Sequence, residues 1–219
     1  MIKAVIFDMD GLLVDSEPFW RKAHIAVVAE EGFTITEDDV RHMAGKGTNH
    51  VVDEWGERFG WNASKNPDIT DRVVKKVIAQ VAESGKALPG VYELIEVLLQ
   101  HNIPMAVASS SMPELIEVTL GKLKITKFMT VIRSTRDEKN SKPFPDVYLT
   151  VARLLGVNPS YCLVFEDALN GVKAAKAAGM KCVTVPESPY DPARFADADL
   201  IVDSLNDIDW VKIQNLMAD

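Results

Sequence analysis

The chain has 219 residues, of which 47% are hydrophobic and 26% are charged, and its formal net charge is −8. This length allows one large domain or a core with a smaller insertion, and the composition is ordinary for a globular protein. The negative charge disfavours non-specific nucleic-acid binding, and no apolar run reaches the length of a membrane span or a signal-peptide core, so we expect a cytoplasmic protein without a membrane or nucleic-acid partner.

The first predicted element is a strand. A short apolar run at residues 4–7 ends at Asp8, which is typical of a strand buried on both faces of a parallel sheet. An extended backbone places Asp8 and Asp10 on the same side, and Gly11 permits a sharp change of direction. Two close carboxylates repel each other, and Mg²⁺, which favours few protein carboxylates together with waters and phosphate, relieves that cost. A simple turn after the strand is the alternative.

Residues 18 to about 82 have the pattern of helices. Gly32 suits the end of a first helix and Thr36 the start of a second. Apolar faces predict two more helices, around 51–59 and 69–81. Four helices between the first strand and the next predict an inserted helical bundle rather than a crossover connection.

From Leu88 onward strands and helices alternate, which is the signature of a parallel sheet. The predicted strands are 103–108, 128–132, 162–165, 181–185 and 200–202. The predicted helices are 91–100, 113–123, 145–155, 171–178 and, as a short tail, 205–217.

Three serines, Ser109, Ser110 and Ser111, follow the strand predicted at 103–108. Hydroxyl and backbone N–H groups at a helix N-terminus can bind phosphate, and the position of Ser109 at the strand tip favours it over Ser110. Ser111 has a structural interpretation, because Ser111-Met112-Pro113-Glu114 has the form of a capping box for the next helix.

Two further charged sites lie later in the chain: Lys142, which follows an irregular loop, and the pair Glu166-Asp167, which follows a buried strand. Most lysines are solvated surface charges, but Lys142 stands between a loop and two prolines just before a helix, which fixes its position. Glu166 and Asp167 end the strand predicted at 162–165. Adjacent acids at a buried strand end are costly unless their charge is compensated, so they are interpreted as a metal site.

The stretch Asp8-x-Asp10-Gly11-x-x-x-Asp15-Ser16 resembles the first motif of the haloacid dehalogenase-like superfamily. Glu17-Pro18 and the later motifs resemble its sugar-phosphatase and β-phosphoglucomutase branch, which includes hexitol and 2-deoxyglucose-6-phosphate phosphatases. The resemblance implies an α/β Rossmann-like core with a parallel sheet, residues 1–16 and 84–219. It also implies a helical-bundle cap domain, residues 17–83, inserted after the first strand, with the active site between the two.

The resemblance also implies residue roles. Asp8 is expected to be the nucleophile and Asp10 the general acid and base, while Ser109 and Lys142 contact the transferring phosphoryl group. The implied Mg²⁺ ligands are Asp8, Asp10 and Asp167, with Glu166 binding through water or from the outer shell. The residues implied to bind substrate are Ser109, Ser110, Lys142, Lys46 and Trp20. Gly45-Lys46-Gly47 has the alternative interpretation of an interhelical turn, and Asp15 that of a helix cap or a brace for the adjoining loop.

The resulting prediction is a monomeric, Mg²⁺-dependent phosphatase of small sugar or polyol monophosphates. A β-phosphoglucomutase is the alternative, but such mutases carry a Thr and a nearby His where this chain has Ser16 and Trp20. Their cap loop also carries an Arg for a second phosphate, whereas this chain has Lys46 and Thr48. A sugar-phosphate-binding protein without turnover is a third hypothesis, and the presence of both first-motif aspartates argues against it.

Overall fold

The computed structural model describes residues 1–43, 46–187 and 189–216. The chain forms two compact units: Met1–Asp15 with the chain from Lys86 onward, and Ser16–Gly85. The role of residues 17–83 as a cap concerns function, and it stays a prediction. Among the described residues, no helix is long and apolar enough to cross a membrane.

The elements are numbered in chain order. The strands are β1 (Ala4–Phe7), β2 (Met105–Ser109), β3 (Met129–Ser134), β4 (Cys162–Glu166), β5 (Lys181–Thr184) and β6 (Leu200–Ile201). The helices are α1 (Glu17–Glu30), α2 (Glu37–Arg41), α3 (Thr48–Phe59), α4 (Asn66–Ser84), α5 (Val91–Gln100), α6 (Pro113–Lys122), α7 (Asp146–Leu155), α8 (Leu169–Ala177) and α9 (Trp210–Leu216). Helices α1–α4 belong to the smaller unit, and all other elements belong to the larger one.

The six strands form one parallel sheet in the order β3-β2-β1-β4-β5-β6. Strand β1 lies inside the sheet, where Val5 is in register with Met105 of β2 on one side and with Leu163 of β4 on the other. All four β1 residues are buried, as expected for a strand covered on both faces. The predicted fold class, a parallel α/β core with a helical segment inserted after the first strand, is confirmed.

Some predicted element boundaries were wrong by a few residues. Strands β2 and β4 each run one residue further than predicted, because pairing continues between Ser109 and Ser134 and between Glu166 and Thr184. The tail is helical only from Trp210, since the preceding Leu205–Asp207 forms a separate 3₁₀ turn with its own capping box. Met217, the predicted end of this helix, lies outside the described residues.

The smaller unit has its own hydrophobic core, formed by Val28, Ile35, Val40, Val51 and Trp55. Helix α2 is short but well capped. The Thr36 hydroxyl accepts from the N–H of Asp39 at 3.2 Å, and the Asp39 carboxylate accepts from the N–H of Thr36 at 2.8 Å. This reciprocal capping explains why so short a helix begins at the predicted position.

The chain leaves and re-enters the larger unit through two short segments that pair with each other. Val14 and Ala87 form an antiparallel bridge. The N–H of Asp15 donates to the carbonyl of Lys86 at 3.3 Å, and the N–H of Leu88 donates to the carbonyl of Leu13 at 3.2 Å. We call residues 13–15 and 86–88 the neck. Both ends of the inserted segment are therefore held side by side.

Candidate active site

Polar side chains stand at the carboxyl ends of four neighbouring strands. Asp8 directly follows β1, and its N–H donates to the carbonyl of Phe165 at 2.9 Å, so the ladder continues to this residue. Ser109, Ser134 and Glu166 are the last residues of β2, β3 and β4. Because parallel strands end at the same edge of a sheet, these side chains gather there, where ligands of such sheets bind.

Lys142 lies at the centre of this edge. Its ammonium donates to Asp8 Oδ1 at 2.6 Å, to Glu166 Oε1 at 2.6 Å and to the carbonyl of Ala108 at 3.0 Å. Its side chain is only 6% exposed. The structure thus places the predicted lysine in a buried bridge between the two predicted acidic positions, and the interpretation of Lys142 as a solvated surface charge is wrong.

The buried carboxylates and the lysine determine each other's charge. The pKa of Asp8 is raised to about 7, chiefly by burial and also by the nearby Glu166 and Asp10, while Lys142 opposes this rise. Burial alone would lower the pKa of Lys142, but the Asp8 and Glu166 carboxylates outweigh burial and raise it well above its ordinary value. Lys142 is therefore a permanent cation at this site.

Glu166 accepts hydrogen bonds on both of its oxygens. Oε1 accepts from Lys142 and, at 2.5 Å, from the hydroxyl of Tyr148. Oε2 accepts from the backbone N–H groups of Asp167 and Ala168 at 3.1 and 3.3 Å. Tyr148 is fully buried in α7, and its ring centre lies 5.0 Å from the Lys142 ammonium. The sequence reasoning missed Tyr148, because a tyrosine on the apolar face of a helix has the pattern of an ordinary core residue.

Three carboxylates form a group with metal-ligand spacing. Asp8, Glu166 and Asp167 each bring an oxygen within 4.8 Å of the others. Lys142 contacts two of these carboxylates, Asp8 and Glu166. Oxygen-only donors of this kind fit a hard divalent cation such as Mg²⁺. Among the described residues this group does not include the predicted ligand Asp10, whose carboxylate contacts Ser111 instead.

Two glycines make room for the acidic side chains. A Cβ on Gly171, inside α8, would stand 1.8 Å from Glu166 Oε1. A Cβ on Gly11 would stand 2.2 Å from Asp167 Oδ2, and Gly11 also has a φ of +75°. Both positions require a residue without a side chain. The sequence contained these glycines next to the acidic motifs, but it gave no sign that they contact them.

The three serines after β2 have different surroundings. Ser109 is buried, and its hydroxyl accepts from the N–H of Ser111 at 3.0 Å, whereas Ser110 is exposed. The Ser111 hydroxyl donates to Asp10 Oδ2 at 2.6 Å. The predicted capping box was wrong: Met112 is the N-cap residue of α6 and makes no side-chain cap bond. The hydroxyl assigned to the helix instead binds a residue about one hundred positions earlier in the chain.

The remaining predicted residues lie in or near the smaller unit. Lys46 is exposed, and its ammonium pairs with Glu54 Oε1 at 2.5 Å. Trp20 is half-buried in α1, with its ring centre 6.4 Å from that of His24. Their roles as substrate contacts stay predictions. Asp15 does not cap α1, because Ser16 occupies the N-cap position.

Comparison with known proteins identifies a matching family and several relatives of similar sequence. Residues 5–185 match the family described as haloacid dehalogenase-like hydrolase. Hexitol phosphatase B of Escherichia coli K12 is 37% identical over 210 residues, which cover 94% of each chain. The phosphorylated carbohydrates phosphatase of Thermotoga maritima is 34% identical over 184 residues, which cover 82% of this chain and 83% of the relative.

Solved structures with similar folds include a CbbY protein and a β-phosphoglucomutase. CbbY from Rhodobacter sphaeroides, determined in complex with phosphate, has a TM-score of 0.83 at 26% identity and covers 94% of this chain and 95% of that one. The β-phosphoglucomutase of Clostridium difficile has a TM-score of 0.84, also at 26% identity, and covers 100% of this chain and 98% of that one.

Proposed function

The chain belongs to the haloacid dehalogenase-like hydrolase family, and from that premise we propose that it is a Mg²⁺-dependent phosphatase of small sugar or polyol monophosphates. The observation that carries the proposal is the buried Lys142 ammonium, 2.6 Å from both Asp8 and Glu166 and beside a group of carboxylates with metal-ligand spacing. Relatives named as hexitol and carbohydrate phosphatases support the substrate class.

In the first chemical step, an oxygen of the Asp8 carboxylate attacks phosphorus and the bond from phosphorus to the sugar oxygen breaks. The Asp10 carboxyl group gives its proton to the departing sugar oxygen. The Ser109 hydroxyl donates to a phosphoryl oxygen, and the Lys142 ammonium beside Asp8 supplies positive charge that stabilises the charge spreading over the phosphoryl group. The products of this step are the free sugar and an aspartyl-phosphate on Asp8.

In the second step, water attacks the same phosphorus and the bond to Asp8 breaks. Asp10, now a carboxylate, takes the proton of that water and so returns to its starting state. Inorganic phosphate leaves, and Asp8 is again a free carboxylate.

Mg²⁺ would be held by Asp8 and Asp167, with Glu166 close by, and when bound it supplies positive charge beside the phosphoryl oxygens. The close spacing of the three carboxylate oxygens supports this assignment. Glu166 already accepts four hydrogen bonds, so its main task in this proposal is to hold Lys142.

The proposal extends to the smaller unit, in which residues 17–83 would act as the cap and Lys46 and Trp20 as substrate contacts. Lys46 pairs with Glu54 at the surface and is a flexible point charge rather than a planar fork, which supports a substrate with one phosphate. A monomeric state and a cytoplasmic location are further parts of the proposal. Size-exclusion chromatography and cell fractionation test them.

The test is phosphate release from a panel of hexose, deoxyhexose, pentose and polyol phosphates, with and without Mg²⁺. We expect turnover of some members, loss of it after chelation, and loss to background in Asp8→Asn, which keeps the side-chain volume but removes the nucleophile. Asp197→Asn, an exposed charge in the same unit, is the matched control and should retain full activity. Phosphate release by Asp8→Asn, or release unaffected by chelation, would overturn the proposal.

A ³¹P spectrum of the reaction with glucose 1-phosphate separates hydrolysis from mutase activity. Hydrolysis yields inorganic phosphate and free glucose. Accumulation of glucose 6-phosphate, stimulated by a trace of bisphosphate, would instead assign the β-phosphoglucomutase reaction.

A further inference from the structure

We propose that Ser111 is a positioning residue that holds the Asp10 carboxylate in the orientation needed for proton transfer, and that Ser134 fixes Ser111. This inference rests on the proposed function, in which Asp10 is the general acid and base. The direct observation is the 2.6 Å hydrogen bond from the Ser111 hydroxyl to Asp10 Oδ2. The contact joins the segment after β2 to the segment after β1.

The backbone of Ser111 is anchored on both sides. Its N–H donates to the Ser109 hydroxyl at 3.0 Å, and its carbonyl accepts from the Ser134 hydroxyl at 2.6 Å. Ser109 and Ser134 are themselves buried and face each other in register at the ends of β2 and β3. With both backbone groups held, the Ser111 side chain points in a defined direction, and that direction leads to Asp10.

The Ser134 hydroxyl is held by the turn that follows β3. It accepts from the N–H of Arg136 at 3.1 Å while it donates to Ser111. A hydroxyl with one acceptor and one donor partner keeps a single orientation. The hydrogen bonds therefore form a chain from β3 through Ser111 to Asp10, and the sequence reasoning found no signal for either serine in this role.

Orientation matters for Asp10 because it must meet two different oxygens in turn. A general acid has to come within about 2.6–3.2 Å of the oxygen that it protonates, and a misplacement of about 1 Å can cost roughly 100-fold in rate. A hydrogen bond to one carboxylate oxygen restrains rotation about the Cβ–Cγ bond. If the Asp10 carboxylate is ordered before substrate binds, the loss of its rotational entropy does not add to the activation barrier.

The test compares substrates that differ in their need for an acid. An alkyl leaving group such as a hexitol needs its oxygen protonated, whereas p-nitrophenolate leaves without help. For Ser111→Ala we expect a loss of kcat of about 10- to 100-fold with a hexitol phosphate and less than about 3-fold with p-nitrophenyl phosphate. Ser111→Thr, which keeps the hydroxyl, should restore most of the activity.

Ser160→Ala is the matched control. Its hydroxyl also donates to a neighbouring side chain, Asn158 Oδ1 at 2.8 Å, but it precedes β4 at the opposite end of that strand. It should leave both substrates unaffected. Ser134→Ala should show the same preference as Ser111→Ala with a smaller loss, and it serves as the second variant if Ser111→Ala does not fold.

A double-mutant cycle with Asp10→Asn makes the test specific. If Ser111 acts through Asp10, Ser111→Ala has no further effect in the Asp10→Asn background. Additive losses, equal losses on both substrates, or a change in KM alone would overturn the inference and indicate a structural or substrate-contacting role. A wild-type protein that hydrolyses no member of the sugar and polyol phosphate panel would instead contradict the proposed function, so the two failures are distinguishable.

Discussion

Glu166 shows how a buried charge is kept at this site. It is 1% exposed, and the Lys142 ammonium, the Tyr148 hydroxyl and two backbone N–H groups surround its oxygens. Removing one partner from a buried charge is costly, because the charge keeps its desolvation penalty and loses the compensation. The stability of the site should therefore depend on each of its donors, including those that take no part in the chemistry.

Replacing Tyr148 by Phe tests this dependence. The substitution keeps the ring and removes only the hydroxyl that donates to Glu166, and burial holds the pKa of that hydroxyl well above its ordinary value, so it is a donor at any working pH. We expect the free energy of unfolding in urea to fall by roughly 1.5–3 kcal/mol, the range for hydrogen bonds to charged groups.

Tyr190→Phe is the control for that measurement. The Tyr190 hydroxyl also donates to a carboxylate, Asp203 Oδ1 at 3.1 Å, but at the exposed surface. Water replaces a lost partner there, so the loss of stability should be clearly smaller than for Tyr148→Phe. Equal effects of the two substitutions would show that burial does not strengthen the Tyr148 bond.

The sequence allowed some of these residues to be predicted and not others. Asp8, Lys142 and the pair Glu166-Asp167 stand at strand ends or beside prolines, where local pattern and a family motif coincide, and the structure brings them together. Ser111 was misinterpreted because Ser-x-x-Glu has the same spacing whether the hydroxyl caps a helix or contacts a distant residue. Tyr148 and Ser134 gave no signal, because their partners are set by tertiary contacts.

Helix α8 illustrates how an element is adapted to the site that it borders. Glycine inside a helix is unfavourable by roughly 1 kcal/mol relative to alanine, yet Gly171 lies within α8. The reason is the Glu166 carboxylate, which occupies the space of the missing Cβ. The helix gives up intrinsic stability so that an acidic side chain fits beneath it.

Two glycine-to-alanine substitutions separate helix propensity from this contact. Gly121 lies in α6, and no atom of the described residues is within 4 Å of its missing Cβ, so Gly121→Ala should be neutral or stabilise the protein by up to about 1 kcal/mol. Gly171→Ala should lower the melting temperature and abolish phosphate release, since Glu166 and with it Lys142 must move. An active Gly171→Ala protein with an unchanged melting temperature would contradict the assigned contact.

The presence of each helix and strand was easier to predict than the residues at which it begins and ends. Apolar runs followed by turn residues predicted each strand, and the periodic faces predicted most helices, because burial alone produces both patterns. Strands β2 and β4 extend past their predicted ends because residues on the neighbouring strands continue the hydrogen-bonded ladder. No local sequence pattern identifies those partners. The tail before Trp210 differs because a local capping box competes with helix formation there.

The molecule as a whole consists of a complete sheet into which a second unit is inserted through the neck. All six strands and the core that surrounds them belong to the larger unit. The two neck segments pair with each other inside that unit, through the bridge between Val14 and Ala87 and the backbone bonds beside it. We therefore expect the larger unit to be stable without the inserted one.

Deleting residues 16–85 and joining Asp15 to Lys86 by a short Gly-Ser linker tests this independence. We expect a soluble protein that unfolds cooperatively, because the neck keeps the two ends adjacent and a shorter loop costs less closure entropy. Circular dichroism during thermal unfolding measures it. A chain without a cooperative transition would show that the sheet depends on the inserted helices.

The position of β1 inside the sheet has a consequence for the order of events during synthesis. Its partners are Met105 and Leu163 and their neighbours, so the strand that precedes Asp8 must wait for most of the chain before it can pair on both sides. At about 5–20 residues per second, the interval is on the order of 8 to 30 s on the ribosome. The inserted helices, whose contacts are local, can fold during that time. Asp8 is therefore synthesised well before Lys142 and Phe165, the residues to which it is hydrogen-bonded in the folded protein.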